Sequence, residues 1–496
     1  VNITYPKPNK ETIISVKMEE NTQDETALVN EPVIKKPEGF RFKMESLMFL
    51  FFIAKTLSDT VIVNLLEHNT CLVVLNYDVP NCTDPVSPDT EGLVQEQAAD
   101  VAMARTMVEA FAPALLSLFI GPWSDTNGRR PLILLSLAGY TCSAMIWCGL
   151  SLVPHLHPLY FLLTSIPVAL TGGYVSFFLA LYCYISDTTE TNRRALRMGL
   201  LEGACLGGVV VSSLVTPSIQ KTSEQYGYTI VFATSALLML VTLIFTYSFV
   251  QESITVVESE RTKLLRFDHV KNVFSTCFRH RPNYLTVIVM CLVVDLVIFI
   301  VLLDGELSVL YMFTQKKFGW TLVEYTRLTS FSLLIAGASV CSIWFFVAVL
   351  KLPDLPLIFV GTICSVIKSV ILALASSGLH MYVACGFSVL TVLINPLSRS
   401  QLSKLVPGDD LGKIFAFCSF LESIAPLTAS PMYTFVYKAT LDTLPNAIFW
   451  LSTGLCCISV TLIGSALFLQ NLTSPLTRGF VPVPTNTDSR RASVQE

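Results

Sequence analysis

Glu202 stands alone among apolar neighbours, in the run Leu200-Leu201-Glu202-Gly203-Ala204, with no Lys or Arg within four residues. A carboxylate in that setting has two fates. It pairs with a basic residue on another segment, Arg105 for instance, or it takes up and releases a proton near neutral pH. Asp295 is the deepest of three acids in another apolar run, ahead of Asp304 and Glu306. Arg399 closes the run Asn395-Pro396-Leu397-Ser398-Arg399, where proline withholds a backbone donor and bends a helix beside a cation. It can meet an anionic group, pair with an acid such as Glu422, or serve as an ordinary anchoring arginine. Lys368 is an isolated cation and a further pairing partner.

Lys55 and Asp59, and likewise Arg105 and Glu109, stand four apart, so each pair shares a helix face and can neutralise itself. Gly172-Gly173-Tyr174-Val175-Ser176-Phe177-Phe178 offers aromatic surface, led by Tyr174, for stacking on a flat ligand; plain packing is the commoner use of such a run. A third pattern is the polar loop Gly121-Pro122-Trp123-Ser124-Asp125-Thr126-Asn127-Gly128-Arg129-Arg130-Pro131. Gly128 permits a tight turn, Asp125 can face the positive amino terminus of a helix, and Arg129 can bridge to Asp187. Those contacts would make a latch.

The segments that must position these residues are apolar. The 496-residue chain is 52% hydrophobic and 14% charged, where a soluble chain carries about a quarter charged residues. Windows long enough to cross a bilayer, about 20 residues each, fall near 44–67, 101–121, 132–151, 159–186, 198–217 and 228–250. Six more lie near 284–313, 324–349, 356–376, 380–401, 412–436 and 445–469. They are too long for barrel strands and lack alternation. Each ionisable residue inside them costs about 2.5–3.5 kcal/mol at mid-helix and normally faces a partner or an aqueous cavity. The expected class is therefore an all-α membrane protein of 12 transmembrane helices, with bundles at 44–250 and 284–469 and a linker at 251–283. Residues 1–43 and 470–496 read as polar cytoplasmic tails.

Lys and Arg set the orientation. Lys35, Lys36, Arg41, Lys43, Arg129, Arg130, Arg193, Arg194, Arg197 and the basic residues of the linker fall on one side. The opposite loop from Glu67 to Asp100 has no Lys or Arg and seven acids. Both termini are expected in the cytoplasm. That places Asn81-Cys82-Thr83, a glycosylation acceptor pattern, outside. Most of the 14 cysteines lie in apolar runs; only Cys71 and Cys82 sit in a polar loop long enough for one local disulfide.

Other classes are excluded by what the residues lack. A net charge of −4 with no basic, aromatic-laced stripe argues against nucleic-acid partners. There is no phosphate loop, nucleophile elbow or metal-spaced His/Cys cluster, and there are only 6 histidines, so neither an enzyme nor a metal or cofactor site is expected.

The loop at 121–131 resembles the signature of the major facilitator transporters, and six spans, a basic linker and six more spans match their plan, with a midplane site between bundles. Within them the chain resembles solute carrier family 46, which includes the proton-coupled folate transporter and the thymic stromal cotransporter. The resemblance covers about 44–470. It rests on Met44-Glu45, the 121–131 run, Arg197-Met198 with Leu200-Leu201-Glu202, and Leu427-Thr428-Ala429-Ser430 with Ala439-Thr440-Leu441. Its most specific part is Arg399-Ser400-Gln401-Leu402-Ser403-Lys404-Leu405-Val406.

The resemblance implies a latch at Gly121, Asp125, Gly128, Arg129, Arg130 and Asp187. It implies a proton-linked Glu202 and a substrate- or proton-linked Arg399. The chain departs from the folate transporter at Gly173, where that protein has aspartate, and at Val301, where it has histidine. Residues 314–323 hold no cysteine for the folate transporter's outer disulfide, so Cys82 pairs with Cys71 or stays free. Tyr174 and Phe420-Leu421-Glu422-Ser423 look closer to the family's lysosomal branch.

The expectation is proton-coupled symport of an organic anion or amphipathic molecule, with the proton gradient as the only driving force. Asp295 is a second proton-coupling candidate, and Arg399, Tyr174 and Glu422 are the substrate candidates. Facilitated diffusion is the alternative if Glu202 is permanently paired, and a non-transporting receptor or scaffold ranks below both. The lipid bilayer, protons and a small molecule are the partners, a monomer suffices, and the plasma membrane is placed ahead of the lysosomal membrane.

Overall fold

The computed structural model describes residues 43–77, 82, 88–223, 226–254, 263–264, 266–320, 322–440 and 443–478. The tail residues Lys35, Lys36 and Arg41 and the acceptor Asn81 lie outside them. Among the described residues 12 helices are long and apolar enough to cross a membrane. The first six are Lys43–Val74, Asp100–Asn127, Arg129–Ser151, Pro158–Thr188, Thr191–Gln220 and Gly227–Phe249. The second six are Leu285–Phe318, Arg327–Val349, Asp354–Ala373, Gly378–Leu405, Asp410–Thr440 and Ala447–Leu472. Each coincides with a window read from hydropathy, because apolar length alone dictates a helix that satisfies its own backbone in lipid.

Span one packs on spans five and six, span three on spans four and six; in the second half, span seven packs on eleven and twelve, and span nine on ten and twelve. The two halves meet through spans two and eleven, five and eight, and five and ten. Small residues make these approaches possible. A Cβ at Gly199 would lie 2.7 Å from Ile343, and one at Gly203 2.8 Å from Val340. Gly121 is seated on Ala416 and on the carbonyl of Gly412. Arg194 donates to the Ser403 carbonyl at 2.5 Å. All four contacts lie toward the end of the molecule that carries the 121–131 loop, called the loop end below.

Two spans are broken at corresponding positions of the halves. Span four runs from a 3-10 turn at Pro158–Thr164 through Ser165–Leu170 and restarts at Gly173–Thr188. Gly172 and Gly173 take φ of 78° and 51° at the break, which only glycine adopts cheaply. Span ten divides into Gly378–Thr391 and Ile394–Leu405. Pro396 cannot donate to the carbonyl one turn back, and the break falls there. Interrupted helices at matching places in two halves mark a midplane site in transporter folds.

The linker at 251–283, read as a polar stretch, contains a helix at Phe267–Phe278. It packs on spans two and eleven together, with Phe267 beside Phe119 and Phe274 beside Phe417.

Candidate functional site

The restarted half of span four presents Tyr174, Phe178 and Tyr182 on one face, four residues apart. The restarted half of span ten presents Asn395 and Arg399 in the same way. Between them, from span five, comes Glu202. Its carboxylate accepts from the Tyr182 hydroxyl and from the Asn395 amide, the latter at 3.3 Å. Asn395 accepts in turn from Arg399 Nε at 3.0 Å. Arg399 Nη2 donates to Glu422 of span eleven at 2.5 Å, and the guanidinium lies 4.2 Å from the centre of the Tyr182 ring. One continuous network therefore crosses from the first bundle to the second.

Charges are distributed unevenly along it. Arg399, 4% exposed, is committed to Glu422, whereas Glu202 is held by neutral donors. Arg105 is not its partner. That arginine bonds Glu109 at 2.9 Å and approaches Asp59 at 3.8 Å, and Lys55 also pairs with Asp59. The two i,i+4 pairs thus merge into one balanced four-charge cluster away from Glu202. Tyr174, 44% exposed, tilts against Phe178 with ring centres 4.3 Å apart. Phe178 in turn lies 5.8 Å from the Tyr182 ring, so Tyr174 forms an accessible wall beside the network.

Asp295 belongs elsewhere. It is buried at 1% exposure and accepts from Ser459 of span twelve, outside the chain of hydrogen bonds that joins Glu202 to Glu422. Its second carboxylate oxygen has no hydrogen-bond partner.

At the loop end Arg129, 2% exposed, meets Asp125 at 2.6 Å, Asp187 at 3.1 Å and the Ser124 hydroxyl at 2.5 Å. Asp125 lies against Gly412, in the opening turns of span eleven; a Cβ there would come within 2.6 Å of the carboxylate carbon. Gly128 has φ of 109° and gives the turn its direction. A residue that sequence reading passed over, Glu252, caps the third span. It accepts from the backbone N–H of Arg129 at 2.7 Å and of Arg130 at 3.2 Å, where a helix amino terminus favours an anion. Arg130 donates to the Tyr247 carbonyl at 2.6 Å and stacks over that ring. Asp187 also accepts from Ser253 at 3.2 Å.

The two bundles touch at Gly121 and Gly412, where the latch expected from the sequence would act. Gly121→Leu inserts a side chain into a contact with no room, a change worth about 1–3 kcal/mol, or roughly 5- to 150-fold in a two-state equilibrium. The expected result is faster thiol labelling of Cys418, buried on span eleven at that end, and at least about tenfold slower uptake with unchanged protein at the membrane. Unchanged labelling and uptake would remove the latch role from Gly121.

Cys71, in the last turn of span one rather than in the polar loop, forms a disulfide with Cys82. Neutral polar residues were the sites missed by reading charges alone. Tyr182 extends the four-residue aromatic spacing of Tyr174 and Phe178, and Asn395 precedes Arg399 by one turn, so both had a periodic signal.

Comparison with known proteins agrees with the fold. Residues 48–430 match the family described as Major Facilitator Superfamily. A probable peptidoglycan muropeptide transporter of Drosophila melanogaster, SLC46, is 28% identical over 461 residues, covering 89% of this chain and 88% of the relative. The proton-coupled folate transporter of Bos taurus is 26% identical, covering 77% and 81%. The lysosomal proton-coupled steroid conjugate and bile acid symporter SLC46A3 of Mus musculus is 26% identical, covering 73% and 81%. Among solved structures, the E. coli fucose:proton symporter FucP superposes with a TM-score of 0.64 at 12% identity, covering 86% of this chain and 97% of that one. The human organic anion transporter MFSD10 gives 0.62 at 15%, covering 85% and 99%. The chain belongs to the Major Facilitator Superfamily, as a multi-pass secondary transporter whose relatives are members of solute carrier family 46.

Proposed function

We propose that the chain moves an organic anion or amphipathic small molecule together with protons by alternating access. The observation that carries this reading is Glu202, a carboxylate at the bundle interface held by Tyr182 and Asn395 rather than by a cation. Its charge depends on occupancy by a proton, and its contacts span the surface that must separate when the loop end opens. Arg399 is one residue further along and is shared with Glu422. A cargo carboxylate or sulfate suits that guanidinium, and competition for it with Glu422 links cargo binding to the network. The relatives named for folate and for steroid conjugates and bile acids are both named as proton-coupled, which supports the same assignment here.

With Lys and Arg concentrated at the loop end, that end is the cytoplasmic one. Closed there, the molecule is shut toward the cytoplasm. The same orientation puts both termini in the cytoplasm and the Asn81 acceptor pattern outside, where it can be glycosylated. The plasma membrane is the proposed location; fluorescence microscopy of the tagged chain reads it directly, and colocalisation with a lysosomal marker would move it there.

The test is uptake of labelled organic anions at an external pH of about 5.5 and about 7.4 by cells or, if the chain is intracellular, by vesicles. Proton symport is read as uptake that rises at acid pH and collapses with a protonophore. Uptake indifferent to pH would replace this reading with facilitated diffusion.

A further inference from the structure

The second bundle contains a cavity of about 450 Å³ lined by spans seven to ten and twelve, with no contribution from the first six spans. Small-molecule sites run to about 300–1,000 Å³. Leucine is the commonest residue in its walls, and Leu303, Leu307 and Leu333 remain 48%, 54% and 38% exposed. Its floor reaches Thr391 and Val392 at the break in span ten, one turn before Asn395. Hydroxyl-bearing residues such as Ser332, Ser365 and Ser388 also line it, and it holds one ion pair: Lys368 of span nine donates to Glu306 of span seven at 2.9 Å.

The pair is lopsided. The Lys368 side chain is 28% exposed and that of Glu306 10%, and both residues line the cavity. An ammonium has three donors, and Glu306 takes one. A pair that served only to join spans seven and nine has no need of a cavity beside it. A leucine-rich chamber with one cation in its wall matches a molecule with a bulky hydrocarbon body and a single anionic head. Lipid acyl chains alone match the leucines but offer nothing to the remaining donors of Lys368.

We infer that this chamber is a binding site for an amphipathic monoanion, with the hydrocarbon body among the leucines and the head on Lys368. The site lies wholly within the second bundle and its floor reaches the span-ten break, one helical turn from Asn395 of the Glu202–Arg399 network. The inference rests on the reading of the chain as an organic-anion transporter, and its test measures binding rather than transport.

The experiment uses the full chain, purified in lipid nanodiscs, and tritiated taurocholate as probe at neutral pH. Saturable binding is expected for the wild type. The paired variant Lys368→Gln/Glu306→Gln removes the cation without stranding a buried acid, and is expected to weaken binding by about tenfold or more, the worth of one charge-assisted contact. Glu306→Gln alone removes the competing carboxylate and is expected to bind at least as tightly as wild type. Ala384→Phe, filling the chamber from span ten, is expected to weaken binding to the same degree as the paired variant. Cys385 lines the chamber, so in the unmutated protein taurocholate should slow its modification by N-ethylmaleimide, read by peptide mass spectrometry. This last measurement does not depend on any variant folding. Absence of saturable binding, equal binding by the paired variant, or unslowed modification of Cys385 would each overturn the site. So would a copurifying phospholipid that taurocholate does not displace. Acid-driven uptake with an intact response to Glu202→Gln would leave the transport reading standing in any of those cases. Binding at the chamber without acid-driven uptake would overturn the transport reading and leave the chamber.

Discussion

Glu202→Gln is expected to abolish accumulation driven by a pH gradient while leaving exchange of cargo across the membrane intact. The amide oxygen can still accept from Tyr182 and Asn395, so the local hydrogen bonds survive. What disappears is the ability to be charged. The variant is fixed in the equivalent of the proton-loaded state, and cargo can go in and out without returning an empty, deprotonated carrier. Each pH unit is worth about 1.4 kcal/mol per proton, so a one-proton symporter working across about two units can concentrate cargo about 100-fold. The variant should fall to no accumulation, with counterflow retained. Asp295→Asn separates the two acids singled out from sequence. Bonded to Ser459 and apart from the cross-bundle network, Asp295 should leave the acid-to-neutral ratio unchanged. Retained accumulation in Glu202→Gln, or its loss only in Asp295→Asn, would move the proton site to span seven.

The contrast between those acids shows what a sequence does and does not display. The 12 spans are legible because lipid imposes one physical requirement, apolar length, and every span meets it locally. The turn at 121–131 is legible for a related reason: Gly121, Asp125, Gly128 and Arg129 lie within nine residues, and the Gly128 turn and the Asp125–Arg129 pair are local. Partnership across the fold is not local. Nothing beside Glu202 states that its donors are a tyrosine 20 residues earlier and an asparagine 193 residues later. Glu252 lies just beyond span six, in a stretch that reads as linker, and becomes a helix cap only because its partners stand 123 and 122 positions away. Charge drew attention to Arg399 and Glu422. Tyr182 and Asn395 are neutral, and only their four-residue spacing from Phe178 and Arg399 could have called them out.

The same network makes Arg399 the most exacting position to replace. Its guanidinium does three things at once: Nε holds Asn395, Nη2 holds Glu422, and the flat face lies over Tyr182. A lysine carries the charge but has neither the fork nor the plane. Arg399→Lys is therefore expected to keep Glu422 neutralised and the protein folded, yet to raise the Michaelis constant for an anionic cargo by about tenfold or more, since a charge-assisted hydrogen bond contributes about 1.5–3 kcal/mol. Arg399→Ala goes further. It leaves Glu422 in the interior without its counter-ion, a loss of about 3–5 kcal/mol, so its surface expression should drop along with uptake. The double change Arg399→Ala/Glu422→Gln should restore expression without restoring the Michaelis constant. That split distinguishes cargo recognition from helix packing. If expression and the Michaelis constant recover together, Arg399 acts by joining spans ten and eleven. If Arg399→Lys alone transports with an unaltered constant, the anionic group of the cargo is met by some other residue.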